Sequence, residues 1–247
     1  MSGLFVESFR FHDAHWRHRD LPAWAASAPA VRAVRDAGAL DLARPVTLLT
    51  GDNGVGKSTL LEAIAVSCGF DPSGGAYGLP RADVGLREES VFAGIGAAIR
   101  GTRAMGGYFL RAETHLATAS TSLDPNGTLL RYRSHGESLL DVAMDRFHSN
   151  GLFLLDEPEA GLSTVRQMAL LAIIARTADA GGQYVIVTHS PVVLAIPGAR
   201  IIEFHAGGTM DTLPLCETLA FRAWEDFLAD PVGMADYMAD YCADTTA

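Results

Sequence analysis

The chain has 247 residues, 49% of them hydrophobic, three cysteines and a formal net charge of −10. That length and apolar content suit one domain with a sheet covered on both faces, and the charge argues against a generally basic surface for nucleic acid. No stretch reaches the ~20 uninterrupted apolar residues of a membrane helix, and Cys68, Cys216 and Cys242 are too scattered for a disulfide framework or a metal motif.

In chain order, residues 4–11 read as a first strand with rough alternation of apolar and polar positions. Nothing in that stretch is the apolar core of a secretory signal, so the expectation is a cytoplasmic protein without stable membrane insertion. A Trp/Pro/Ala-rich connection leads to a short helix over 31–37. Residues 45–50 form a compact apolar run, as a buried parallel strand should. A helix is predicted over 58–68, with Leu60, Leu61, Ile64 and Ala65 on one face.

Glycines then recur through 69–107, which reads as an irregular, partly mobile insertion. Strands follow at 108–111 and 128–132, a helix at 138–147 and a fully buried strand at 152–155. The rest reads as a helix over 164–178, strands at 184–188 and 200–204, and an acidic helical tail over 216–247. Strands alternating with helices imply a largely parallel α/β sheet within a single domain spanning 1–247.

Lys57 is the only lysine; every other cation among the side chains apart from histidine is arginine. It lies in Gly51-Asp52-Asn53-Gly54-Val55-Gly56-Lys57-Ser58-Thr59, which matches G-x-x-x-x-G-K-[ST] between a predicted strand and a predicted helix. Glycines there let backbone N–H groups turn inward around phosphates, and the helix N-terminus adds partial positive charge. Lysine supplies a compact point charge for the β- and γ-phosphates, and Ser58 a hydroxyl for Mg²⁺. The bland alternative is a glycine-rich turn before a helix. This pattern implies binding of a nucleoside triphosphate.

Leu152-Phe153-Leu154-Leu155-Asp156-Glu157-Pro158 ends a buried strand in two acids. Side chains alternate along a strand, so the two carboxylates point differently. Asp156 suits Mg²⁺ and Glu157 suits polarising the attacking water. Ser134-His135-Gly136-Glu137 precedes a predicted helix and also satisfies the S-x-x-E capping box. Thr188-His189-Ser190-Pro191 closes a predicted parallel strand, which would aim His189 into the ligand crevice toward a γ-phosphate or the attacking water.

In order and content these four segments resemble the ABC-type ATPase superfamily, over about residues 45–204. Asn53 is typical of its phosphate loop. Ser134-His135-Gly136-Glu137 looks like its signature motif, with departures from Leu-Ser-Gly-Gly-Gln at Arg133, His135 and Glu137. Glu159-Ala160-Gly161-Leu162-Ser163 resembles its D-loop, and Glu113 falls where the Q-loop glutamine is expected, beside the metal. The resemblance implies a P-loop NTPase fold: a mostly parallel sheet flanked by helices, an antiparallel N-terminal β region and a reduced helical insertion. It implies ATP and Mg²⁺ as cofactors and a homodimer when ATP is bound. In that dimer Ser134, Gly136 and Glu137 reach the ATP held by the other copy.

Asp156-Glu157-Pro158-Glu159 and Thr188-His189-Ser190-Pro191 look more like the soluble ATPases allied to DNA-repair and phage-defence ABC proteins than like transporter subunits. Two other readings stay open: an energy-coupling subunit of a transporter, and an ATP-sensing module with negligible turnover that acts through a protein partner. A GTPase would need the Asn-Lys-x-Asp motif, hence a second lysine. Phe11 or Trp16 is a candidate to stack on adenine, with core packing the alternative for Phe11. His12, His15 and His18 are spaced poorly for one metal. Arg100, Arg103, Arg111, Arg131 and Arg133 either line a dimer face or are solvated; nucleic acid as a ligand stays open.

Overall fold

The computed structural model describes residues 3–12, 21–78, 92–93, 95–103, 105–111, 143 and 146–245. Strand β3 (Val46–Gly51) is buried at every residue, because it has a parallel neighbour on each side and side chains packed on both faces. Its neighbours are β8 (Gln183–Val187) and β9 (Arg200–Phe204); β8 in turn pairs with β7 (Leu152–Asp156), and β7 with β6 (Gly107–Leu110). Short antiparallel strands close the edges, β10 (Met210–Leu213) on β9 and β4 (Gly75–Ala76) on β6. The order across this seven-stranded sheet is β10-β9-β3-β8-β7-β6-β4.

Alternation along the strands divides the core into two layers. Leu49, Leu154, Val185, Val187, Ile202 and Phe204 face helix α3 (Lys57–Cys68) and a second, three-stranded sheet. Leu48, Phe153, Leu155, Tyr184 and Ile186 face helix α4 (Thr164–Asp179) through Leu170, Ile174 and Ala178, together with the short helix α5 (Pro191–Leu194). Phe153 and Tyr184 stack at 4.8 Å between centroids, with Phe147 packed edge-on against Tyr184 at 5.6 Å. Each large side chain so buried is worth ~1.5–3 kcal/mol. Cys68 lies in this core, its thiol pushed up to about 12 by burial, which leaves it unreactive.

The second sheet is antiparallel, ordered β2-β1-β5, from β1 (Val6–Phe11), β2 (Leu40–Asp41) and β5 (Gly96–Arg100). One buried side chain fastens it to the main sheet. Gln183 Oε1 accepts hydrogen bonds from Phe5 N at 2.8 Å and Val6 N at 3.0 Å, while its Nε2 donates to Val6 O at 2.7 Å and Leu42 O at 2.9 Å. Between β1 and β2 run helices α1 (Ala23–Ala26) and α2 (Pro29–Ala37), the latter opened by a proline suited to the first turn and closed by Gly38 at φ 81°.

The sequence-predicted strands and helices at 45–50, 58–68, 108–111, 152–155, 164–178, 184–188 and 200–204 correspond to β3, α3, β6, β7, α4, β8 and β9, within one or two residues. The region 69–107 differs from the expected irregular insertion. It contributes β4 to the main sheet and β5 to the N-terminal sheet, where hydrogen bonding to β1 organises a stretch too rich in glycine and alanine to announce itself. The expected strand at 128–132 lies outside the described residues, as does most of the helix expected at 138–147. Past a 3-10 turn at Leu215–Glu217, the acidic tail forms α6 (Leu219–Ala229) and α7 (Pro231–Thr245). Among the described residues no helix is long and apolar enough to cross a membrane.

Candidate functional site

Three neighbouring parallel strands, β3, β8 and β7, end on the same edge of the sheet, and each delivers one motif there. Register fixes the alignment: Leu49 lies opposite Val187, and Val187 opposite Asp156. The chain continues the lattice past the strand ends, with Thr188 N donating to Leu49 O at 3.1 Å and Glu157 N to Val187 O at 2.9 Å. The crevice outside the carboxyl ends of such strands is where open α/β sheets bind ligands.

The loop after β3 depends on glycine at each bend. Gly54 and Gly56 lie at φ 77° and 92°, and a side chain on Gly54 would meet nothing within 4 Å, so the loop's mouth is open. Gly51 has no such room: a Cβ there would come within 2.0 Å of Phe204 O on β9. Val55 is buried and anchors the loop, its carbonyl accepting from Ala30 N of α2 at 2.8 Å. A Cβ on Gly56 would strike Ala28, just before α2, at 2.7 Å. Helix α2 therefore braces the loop from outside. Further along it, Arg32, Arg35 and Asp36 join Phe11 and His12 around an open cavity of about 320 Å³.

Lys57 opens α3 and folds back into the loop, 5% exposed, donating to Gly51 O at 3.0 Å and Asp52 O at 2.6 Å. Burial lowers its pKa, and the nearby Glu157, Asp52 and Asp156 oppose that shift. Ser58 Oγ donates to Asp156 Oδ1 at 2.8 Å, which brings together the two residues read from sequence as magnesium ligands, 98 positions apart. Two hard oxygen donors side by side, one a carboxylate, fit a small divalent cation that keeps several of its waters. Asp52, Asn53 and Gly54 are exposed at the loop's tip, and Thr59 is half-buried behind it.

Glu157 holds the left-handed conformation at φ 46°, the sole non-glycine residue with positive φ among those described. A side chain there costs on the order of 1–2 kcal/mol. The strand bond from Glu157 N and the turn bond from Ala160 N to Glu157 O at 3.0 Å hold it in place. His189 Nε2 stands 4.0 Å from Glu157 Oε1, beyond hydrogen-bond length. Burial, then the charge of Lys57, lower the histidine's pKa, against the pull of Glu157 and Asp52; the neutral ring is favoured.

Glu159, which the sequence offered only as part of a D-loop, organises the histidine loop. Its Oε1 accepts from Thr188 Oγ1 at 2.6 Å, His189 N at 2.9 Å and Ser190 N at 3.2 Å. Its Oε2 is buried with no hydrogen-bond partner among the described residues, and burial raises its pKa against those donated bonds. A second strut runs from Ser190 Oγ to Gln167 Oε1 at 2.6 Å, and from Gln167 Nε2 to Leu162 O at 3.1 Å. These bonds tie residues 159–163 to residues 188–190. Of the other predicted site residues, Glu113, Ser134, Gly136 and Glu137 lie outside the described residues, as do Trp16, His15, His18, Arg131 and Arg133.

Arg111 bonds to Glu62 at 3.2 Å and Pro72 O at 2.8 Å, and Arg103 to Asn150 Oδ1 at 2.7 Å while lying over the Phe5 ring at 4.5 Å. Arg100 Nη2 donates to Cys68 O at 3.4 Å. These three cations brace the fold.

Two family models match the chain. One, described as an AAA domain, covers residues 30–101 and so the phosphate loop. The other covers 128–195, with the acidic strand end and His189, and is described as an AAA domain of the kind assigned to the AbiEii toxin of a Type IV TA system. No curated protein matches. Among solved structures, the SMC head domain from Thermotoga maritima is 12% identical over 85% of this chain and 99% of that one, at a TM-score of 0.44. The Smc head domain with a coiled coil and joint from Pyrococcus yayanosii is 23% identical at a TM-score of 0.33; the match takes in 39% of this chain and 20% of that one, so the chain spans a fifth of that structure. An inward-facing ABC transporter assigned to the metal-chelate type is 17% identical over 89% of this chain and 86% of that one, at 0.40. At such TM-scores these three likenesses carry no assignment. The two AAA-domain matches, neither of them spanning half of the chain, lie on a strand–loop–helix phosphate cradle at the edge of a mostly parallel sheet, and it is to AAA-type P-loop domains that this chain is similar there.

Proposed function

We propose that the chain binds ATP with Mg²⁺, hydrolyses it, and uses the bound nucleotide to close two copies head to tail. The observation that carries this reading is the convergence on one sheet edge of Lys57, the Ser58–Asp156 pair at 2.8 Å, Glu157 and His189. When bound, Mg²⁺ neutralises charge on the β- and γ-phosphate oxygens. Ser58 and Asp156 would hold it, with Glu113 as a further oxygen donor. The backbone from Asp52 to Thr59 cradles the phosphates, and Lys57 exchanges its two loop carbonyls for phosphate oxygens. Glu157 orients the attacking water and takes its proton. His189, kept neutral and pinned through Glu159, stabilises the water or the γ-phosphate from the other side.

The remaining donors would come from the second copy, with Ser134, Gly136 and Glu137 at the end of a helix that reaches the phosphate in trans. Hydrolysis then works by positioning and electrostatics that exist only in the closed state. The Type IV TA description of the second family model favours a setting in defence, or the allied one of DNA repair, over transport.

The test is mass by light scattering on the Glu157→Gln variant, with and without Mg-ATP, beside direct measurement of ATP binding. Doubling of mass with ATP alone, together with loss of phosphate release, is the expected result. Bound ATP at constant mass would sink the head-to-tail switch and leave nucleotide binding standing. No ATP binding would sink both.

A further inference from the structure

The last two helices are written for burial and are not buried. On α7 the residues Met234, Tyr237, Met238 and Tyr241 recur at i, i+3, i+4 and i+7, an apolar stripe of helical period. On α6, Trp224, Phe227 and Leu228 form a similar cluster, the first two rings meeting edge-on at 6.0 Å. Helix α6 has no buried residue. Eight of the twelve exposed large hydrophobic residues among those described fall between Leu219 and Tyr241, with Leu228 at 66% and Tyr237 at 65%. Large apolar side chains left exposed at this density mark a binding face.

We propose that α6 and α7 together form a docking face for a basic, amphipathic helical segment of another protein. Charge selects the occupant. From Glu217 onward the sequence carries seven acids against one cation, Arg222. At about 100° per residue, Glu225 and Asp240 flank the apolar stripes, while Asp226 and Asp236 fall on the far faces of the two helices. Such a face repels its own copy, an anionic lipid surface and the phosphates of nucleic acid. A partner helix with an apolar face and lysine or arginine flanks satisfies the stripes and the rim at once, with the exposed aromatic rings available to its cations.

The face is anchored firmly enough to serve. Thr218 caps α6 by accepting from Phe221 N at 3.3 Å, and Leu219 N donates to Glu203 Oε2 at 2.9 Å. Glu203 is a buried carboxylate on β9, opposite Thr50 of β3, so the helix pair hangs from the strand beside the one that bears the phosphate loop. The inference stands independently of nucleotide chemistry.

The experiment titrates the full chain into three labelled synthetic helical peptides and follows anisotropy. One peptide is Lys/Leu amphipathic, one is Glu/Leu with the same pattern, and one is Lys/Ser with equal charge and no apolar face. The expected result is binding of the Lys/Leu peptide about tenfold or more tighter than either control. Trp224→Ser with Leu228→Ser, which keeps every charge, should cost about tenfold, and so should Glu225→Lys with Asp240→Lys. Equal affinity for Lys/Leu and Lys/Ser peptides would overturn the proposal, as would affinity untouched by either double variant. Absence of any peptide binding would overturn it too. So would a mass that doubles without peptide and falls back in the Trp224→Ser, Leu228→Ser variant, which would make the occupant a second copy, or cosedimentation with phosphatidylserine vesicles.

Discussion

Strand β3 and helix α6 are both rich in apolar residues, yet β3 buries all six of its residues and α6 buries none of its eleven. Apolar composition does not separate them; surroundings do. Strand β3 is flanked by β8 and β9 and covered on both faces, whereas α6 is tethered at its N-terminal end through Thr218 and Glu203, packs on the core through Ala220 in its first turn, and buries none of its own residues. Within one chain, then, one apolar element has its partners built in and the other presents its apolar face outward. The chemistry-bearing residues belong to the first kind of environment, because a carboxylate or lysine can be aimed only from a backbone that cannot shift.

The most damaging change to that rigid region is expected far from the phosphate loop. Gln183→Ala would leave Phe5 N, Val6 N, Val6 O and Leu42 O without the side chain that satisfies them. At ~1–3 kcal/mol for each buried group left unsatisfied, with partial relaxation, the expected loss is roughly 3 kcal/mol or more in urea unfolding. A loss below about 1 kcal/mol would mean that the N-terminal sheet holds to the main sheet by apolar packing alone, and that β3 owes less to that cover than its burial suggests.

How much of this was legible beforehand follows the range of the interactions involved. The phosphate loop, Asp156-Glu157 and His189 are read from a few adjacent residues each, and the alternation of strands with helices was enough to send them to one sheet edge. Gln183 was not legible as a clasp, because its partners, Arg44 O among them, lie 139 to 178 positions away and a glutamine in a strand carries no signature of its own. Strand β5 was missed because Gly96-Ala97-Ala98 has low strand propensity and is organised by β1, some ninety residues earlier. The two-residue β2 and the edge strand β10 are likewise products of pairing. Glu157 at φ 46° has no local sequence cause at all.

Glu159 gives the intermediate effect. Its single oxygen Oε1 gathers three donors from residues 188–190, so Glu159→Ala frees the loop that carries His189 without touching the phosphate loop. ATP affinity should hold while turnover falls about tenfold, equivalent to ~1.4 kcal/mol in the barrier. Glu159→Gln should restore most of it, since the amide oxygen can still accept those bonds. Steady-state phosphate release alongside nucleotide binding separates the outcomes. Equal losses in Ala and Gln variants would point to the carboxylate's charge, and a change in affinity would place Glu159 nearer the nucleotide than its bonds to the histidine loop suggest.

The smallest effect sharpens the opening contrast most. Trp224→Ser with Leu228→Ser removes two large apolar side chains, and in β3 or α3 such a loss would cost several kcal/mol, as ~2–5 kcal/mol for truncating a fully buried leucine such as Leu60 indicates. On α6 these side chains are 50% and 66% exposed and make no core contact, so thermal unfolding of the isolated chain should move by no more than about 0.5 kcal/mol. A loss comparable to that of Leu60→Ala would show that α6 is covered within the chain itself, and the distinction between an element with its partners built in and one turned outward would collapse. Near-neutrality would leave those two side chains without a role in folding, and with a role only in what they bind.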